Sequence, residues 1–332
     1  MNYPSSFSVN PIKDADFLAA MPEIHERLEA CMTKGMVSAY DGLQLAWYAY
    51  TCDKPVGNMV IVHGFTEFAL KYEEIITYFL EMGYNCFIFD ERSHGFSGSA
   101  VEDRRYNHVE NFREYSKDLH TIIDKIVRPR ANGLPIRLFS HSMGGTTCLL
   151  YLHDYKPADI DKVILSSPMV VPRMYKNIPV PIVKFAIRKC AKETGWDAKF
   201  VHTTHFNPNP DYKLSHDCSP ARFQHNLNLR LAEKNFQNSG STNRWLMECL
   251  NIGKIILKKD FLRAIPQDIL LMEAGEDYVV IPAKYKKVIK YLPSCRHSVY
   301  PNSKHSIYNS EDDVIVRYWN EIFDFLGTPG KP

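Results

Sequence analysis

Residues 138–150, LFSHSMGGTTCLL, decide how the rest of this chain is read. Apolar residues lead into Ser140-His141-Ser142, then Met143-Gly144-Gly145, then a run that suits a helix. The pattern predicts a buried strand over 136–139 that turns sharply into a helix beginning at Ser142. Such an elbow crowds its neighbours, so the positions two before and two after the central serine must be small, as Ser140 and Gly144 are. The strain aims the Ser142 hydroxyl outward, beside the helix N-terminus. A plain βα turn with a helix-capping serine would ask for similar residues, so the stretch alone leaves both readings open.

Outward from the elbow, short apolar runs alternate with helical patterns. Strands are expected over 43–51, 57–64, 86–90, 162–168 and 268–278, with a further strand in RHSVY before PNSKH. Helices are expected over 67–83, 109–127, from Pro282, and over Asp312–Leu326. This alternation predicts an α/β fold whose sheet is mostly parallel. The rhythm breaks between Met169 and about Asn243, where prolines, basic residues and helical pieces replace strands. Residues 1–168 and 244–332 therefore read as two parts of one core, and 169–243 as a mainly helical cap inserted between strands. The final GTPGKP reads as a frayed tail.

Bulk composition narrows the class. The 332 residues are 45% hydrophobic and 12% aromatic, enough for a sizeable core. A formal net charge of +2 gives no argument for a nucleic-acid partner. The N-terminal segment lacks a basic region followed by an apolar run, and no stretch has 18 consecutive apolar residues. The eight cysteines are scattered without a C-x-x-C pair. A reduced, cytoplasmic setting is expected, and the cysteine spacing gives little support for a zinc site.

A serine hydroxyl needs a base before it can attack, and the base needs a carboxylate to hold its tautomer. His305, in PNSKHSIYN, follows the last expected strand and is the candidate base. Asp277, in EAGEDYVVIP, follows another strand and is the candidate acid. Glu276 is adjacent but would point differently, and Asp268 lies at the wrong end of its strand. The order Ser142, Asp277, His305 is then nucleophile, acid, base. Two backbone N–H groups should hold the developing oxyanion: that of Met143, directly after the serine, and that of Phe65, in the turn after VIVHG. His63 and Gly64 are expected to build that turn around a buried imidazole. His141 sits on the elbow but should point away from the reacting hydroxyl.

Three motifs together carry a resemblance: His63-Gly64-Phe65-Thr66-Glu67, the run from Asp90 to Ser97 (DERSHGFS), and SHSMGG from Ser140. With AGEDYVVIP and PNSKHSIYN, they resemble the α/β-hydrolase group that contains monoacylglycerol lipases and bacterial lysophospholipase L2, of the serine aminopeptidase S33 type. The resemblance runs from about Met36 to Leu326. Ser93 and Ser140 depart from it, standing where glycine is usual. It implies the α/β-hydrolase fold with an eight-stranded sheet, a triad of Ser142, Asp277 and His305, and an oxyanion hole from Phe65 and Met143. It also implies an ester substrate with one acyl chain, a lysophospholipid or monoacylglycerol, and no metal or organic cofactor. A short-chain carboxylesterase, a proline-releasing peptidase and a non-catalytic binding protein on the same fold remain the alternatives.

The cap carries further expectations. In IPVPIVKFAIRKCAK, Ile182, Val183, Ala186, Ile187 and Cys190 are expected on one helical face, and Lys184, Arg188 and Lys192 on another. Such a helix either packs on the core or lies on a membrane or lipid aggregate, which would make the protein peripheral at a membrane surface. Trp196, Phe200, Phe206, Tyr212 and Phe223 either line an acyl tunnel or form the cap's own small core. His202 and His205, with His216 beyond, give only weak support for a metal. Oligomeric state is not legible.

Overall fold

The computed structural model describes residues 2–173, 178–200 and 205–327. Ten strands are present among them: β1 (Met32–Ser38), β2 (Gln44–Tyr50), β3 (Gly57–Val62), β4 (Tyr84–Phe89), β5 (Tyr106–Asn107), β6 (Ile136–His141), β7 (Ile160–Ser166), β8 (Gly240–Ser241), β9 (Asp268–Ala274) and β10 (Cys295–Tyr300). Eight of them form one sheet in the order β1-β2-β4-β3-β6-β7-β9-β10. The pairs β1/β2 and β2/β4 are antiparallel, and the remaining neighbours are parallel. This is the α/β-hydrolase sheet that the resemblance implied.

The strands read from continuous apolar runs are those with helices on both faces. Along β3, Val60 and Val62 point to one side and Met59 and Ile61 to the other. The first side is covered by α3 (Arg113–Ile122), α4 (Met143–Tyr155) and α7 (Asn243–Ile256). The second is covered by α1 (Asp14–Cys31), α2 (Glu73–Glu81) and α10 (Asp312–Leu326). With both faces dry, the period-2 alternation that marks a half-solvated strand disappears.

Two elements, α1 and β1, lie outside the strands and helices expected from the sequence. In α1, Phe17, Met21, Ile24, Leu28 and Cys31 are buried at helical spacing, around an internal Pro22. β1 follows without a turn and is an edge strand with mostly exposed side chains, so it carries no apolar signal.

Between β7 and β9 the chain adds α5 (Val180–Thr194), α6 (Pro220–Ala232), α7 and the short α8 (Lys259–Arg263). The segment expected to lack clear strands contains β8, which pairs with β5 and ties 169–243 to the loop after β4. The face expected of α5 is also corrected. Lys184 is buried and its Nζ donates to Asn251 Oδ1 at 2.5 Å, while Ile182 is 58% and Phe185 70% exposed. Val183 and Ile187 instead pack on Met247 and Leu250 of α7. The apolar side of α5 is wider than its partner helix covers. Trp196 and Phe200 join this small cluster, whereas Phe206 and Phe223 line a pocket beside Ser142, with Tyr212 against Phe223. His202 and residues 328–332 lie outside the described residues. Among the described residues, no group of three or more His, Cys, Asp or Glu is arranged to hold a metal, and no helix is long and apolar enough to cross a membrane.

Candidate active site

Ser142 stands between β6 and α4 with φ 50° and ψ −114°, a left-handed backbone that a serine adopts only under constraint. The constraint is visible on both sides. Its N–H donates to the Ser166 carbonyl, and its carbonyl accepts from Gly145 and Met169. A Cβ on Gly144 would strike the carbonyl oxygen of Val62 at the end of β3, so only glycine lets α4 start this close to the sheet. The Ser142 hydroxyl does not cap the helix.

Its Oγ lies 2.8 Å from His305 Nε2, and His305 Nδ1 lies 2.6 Å from Asp277 Oδ2. The three side chains come from three loops, after β6, β9 and β10, at the carboxyl edge of the sheet. Asp277 Oδ1 accepts the N–H groups of Val279 and Val280 at 2.8 and 3.0 Å. Burial pushes the Asp277 carboxyl up, but the His305 hydrogen bond and charge and those two N–H groups outweigh it and hold it below its ordinary value. An ionised Asp277 can only accept. His305 therefore carries its proton on Nδ1 and offers Nε2 to the serine hydroxyl. Of the competing acids, Glu276 uses its N–H to meet the Ser303 carbonyl, and Asp268 opens β9 at the far end of the strand.

The turn after β3 is held by two neutral imidazoles. His63 Nδ1 donates to the Gly64 carbonyl at 2.8 Å, and its Nε2 accepts the Glu91 N–H at 2.9 Å. His94 accepts the Thr66 N–H on Nε2 at 3.1 Å and donates from Nδ1 to the Arg92 carbonyl at 2.9 Å. Complete burial pulls both pKa values down, that of His94 to about 3. Thr66 itself has a φ of 60°. With Thr66 turned to His94, the N–H groups of Phe65 and Met143 meet no protein acceptor among the described residues. The Phe65 ring stacks on Trp245 at 4.2 Å.

Glu67 belongs to the HGFTE motif, which assigns it no role. It is a hub: Glu67 accepts from Gly64 N–H at 2.6 Å, Tyr72 at 2.6 Å and Tyr308 at 2.9 Å, and pairs with Lys71 at 2.5 Å. Burial raises its pKa, yet Lys71 leads the influences that hold it well below the carboxylate range. His141 and His216 flank the His305 ring at 4.9 and 6.2 Å between centroids. Burial pulls them to about 3 and about 4, so both are uncharged at neutral pH. His141 neither donates to nor accepts from Ser142, in line with its expected direction. A pocket of about 430 Å³ opens on Ser142 and His305, walled by the 205–217 segment and by α6 through Phe223, Leu227 and Arg230.

Residues 53–312 match the model of a hydrolase family described as serine aminopeptidase, S33. The chain belongs to the serine aminopeptidase S33 family. Among relatives of this S33 hydrolase is the probable lysophospholipase L2 of Haemophilus influenzae, 27% identical over 81% of this chain and 83% of its own. The monoglyceride lipase of Saccharomyces cerevisiae is 22% identical over 81% and 82%. Among solved structures, a thermostable carboxyl esterase from Bacillus coagulans superposes with a TM-score of 0.72 at 20% identity, covering 90% of this chain and 98% of that one, which shows the shared fold.

Proposed function

We propose that this S33 hydrolase is a serine ester hydrolase of lipids with a single acyl chain, with Ser142 as nucleophile, His305 as base and Asp277 as its orienting acid. One observation carries the reading: the continuous chain Ser142 Oγ to His305 to Asp277, at 2.8 and 2.6 Å, on the wall of a pocket. His305 Nε2 takes the hydroxyl proton as Ser142 Oγ attacks the ester carbonyl. The N–H groups of Phe65 and Met143, free of protein acceptors among the described residues, receive the oxyanion, each contributing about 3 kcal/mol to the transition state. His305 then protonates the leaving alcohol, and later activates the water that frees the acid. Relatives named lysophospholipase and monoglyceride lipase support a lipid substrate.

The membrane contact is part of this proposal. Ile178, Ile182 and Phe185 project from the cap, with Arg188, Lys189 and Lys192 exposed on the same helix. Apolar side chains beside cations suit an anionic lipid surface, from which a one-chain lipid is drawn.

Ser142→Ala should lower turnover of p-nitrophenyl esters by at least about a thousandfold while circular dichroism stays unchanged. A fluorophosphonate probe should label the wild type and not the variant. Undiminished turnover by Ser142→Ala would sink the assignment. Preference for two- to four-carbon acyl chains, or cleavage of aminoacyl amides, would move the substrate to a carboxylesterase or a peptidase.

A further inference from the structure

Two buried arginines are matched by acids. Arg92 forks onto Asp118 and also meets Asp41 and Glu114. Arg222, in α6, forks onto Glu74 of α2 and lies 3.7 Å from Asp14. Arg230, two turns further along α6, is held differently. Its Nε donates to the Phe236 carbonyl at 2.9 Å and its Nη2 to the Asn238 carbonyl at 2.6 Å. The guanidinium carbon sits 4.9 Å from the Phe206 ring centroid. Among the described residues Arg230 has no carboxylate partner, and its Nη1 meets no protein acceptor.

Carbonyls and a ring fix the plane of a guanidinium without neutralising it. Burial pulls the Arg230 pKa down to about 10, against a lesser pull from Glu67, so the group stays charged at neutral pH. It lines the same pocket as Ser142 and His305. Among the described residues lining it, the other Lys or Arg is Lys71, which is already bound to Glu67. A half-buried guanidinium that meets no carboxylate among the described residues is suited to an anionic ligand. A planar guanidinium with a free N–H edge suits phosphate oxygens, while a neutral glycerol leaves the charge unmet.

The acids lining the pocket limit which anion fits. Glu67 is occupied by Lys71; Asp217 accepts from Asn309 at 2.9 Å and Ser215 at 3.3 Å; Asp211 caps the Lys213 N–H. Asp211 and Asp217 oppose a dianion more strongly than the single charge of a phosphodiester. The fork from Arg222 to Glu74 anchors α6 to the body, so Arg230 is presented from a fixed helix.

We propose that Arg230 receives the phosphodiester of the substrate head group, so that this S33 hydrolase prefers lysophospholipids to monoacylglycerols. The proposal rests on the ester-hydrolase reading above. Its test is the ratio of kcat/KM for lysophosphatidylcholine to that for a monoacylglycerol with the same acyl chain. Arg230→Gln should lower that ratio at least about tenfold, and Arg230→Lys, which keeps the charge but loses the fork, should restore part of it. Glycerophosphocholine should inhibit p-nitrophenyl ester hydrolysis by the wild type, glycerol at equal concentration should not, and Arg230→Gln should abolish the inhibition. A ratio unchanged in Arg230→Gln, with both lipids cleaved, would overturn the head-group assignment alone. Failure of the wild type to cleave any ester would overturn the ester-hydrolase reading, and this proposal with it.

Discussion

At Ser93 the backbone turns through a φ of 65°, the left-handed region where a side chain is strained. Its hydroxyl recovers little, with contacts of 3.2 to 3.4 Å to Ser99 and to the His108 backbone. Ser140, the other residue standing where glycine is usual, lies in extended backbone within β6, and its buried hydroxyl donates to the Ile164 carbonyl at 3.0 Å. The two departures should therefore respond oppositely to restoring glycine. Ser93→Gly should stabilise the protein by up to about 1 kcal/mol, by relieving the positive φ. Ser140→Gly should destabilise it by about 1 kcal/mol, through a lost hydrogen bond and a looser unfolded chain. Urea midpoints of the two variants check this; shifts of the same sign would contradict it. The sequence shows that both sites depart from glycine, but not that only one of them needs its freedom.

Among the elements, legibility followed burial. Strands 57–64 and 86–90 were readable because both faces are dry, and Asp312–Leu326 because its apolar stripe keeps a helical period to the terminal Gly327. Ser142 and Asp277 were readable because each follows such a strand, whereas His305 follows the largely exposed edge strand β10 and was readable from its place between that strand and the last helix. α1 carries an equally regular stripe, hidden by Pro22, whereas β1 carries none. The facing of α5 was not readable, because its apolar residues span more of the helix than α7 covers, and only tertiary packing chooses which stay out. That choice has a consequence at the same scale. Phe185→Glu should reduce co-sedimentation with anionic lipid vesicles by at least about fivefold while turnover of a soluble p-nitrophenyl ester is kept. Equal sedimentation of variant and wild type would remove α5 as the contact.

For the whole molecule, buried ionisable groups set opposing responses to pH. The folded-state pKa of His94 lies below its unfolded value of about 6.5, so the stability it contributes is full above that pH and is lost as pH falls toward about 3. Glu81 and Asp118 behave in the other sense. Burial lifts them to about 7 and about 6, so their contribution is full below the ordinary carboxylate range and is lost as pH rises through those values. Between pH 5 and 6.5 the two trends act in opposite directions. Variants separate them. The destabilisation caused by His94→Gln should be largest above pH 6.5 and shrink by up to about 1.4 kcal/mol per pH unit below it. A pH-independent difference between variant and wild type in urea unfolding would show that His94 does not titrate as its surroundings dictate.

The fork between Arg222 and Glu74 also receives the N-terminal segment: Arg222 Nη2 donates to the Ile12 carbonyl at 2.8 Å, and Ser219, the N-cap of α6, bonds to Asp14. Residues 12 and 14 lie outside the 53–312 span shared with the family. The arm that presents Arg230 is thus buttressed by a part of the chain that supplies none of the proposed reacting groups. On the head-group role proposed for Arg230, drift in that N-terminal segment would retune which head groups are accepted while every reacting atom stays in place, a route to divergence in diet ahead of divergence in mechanism.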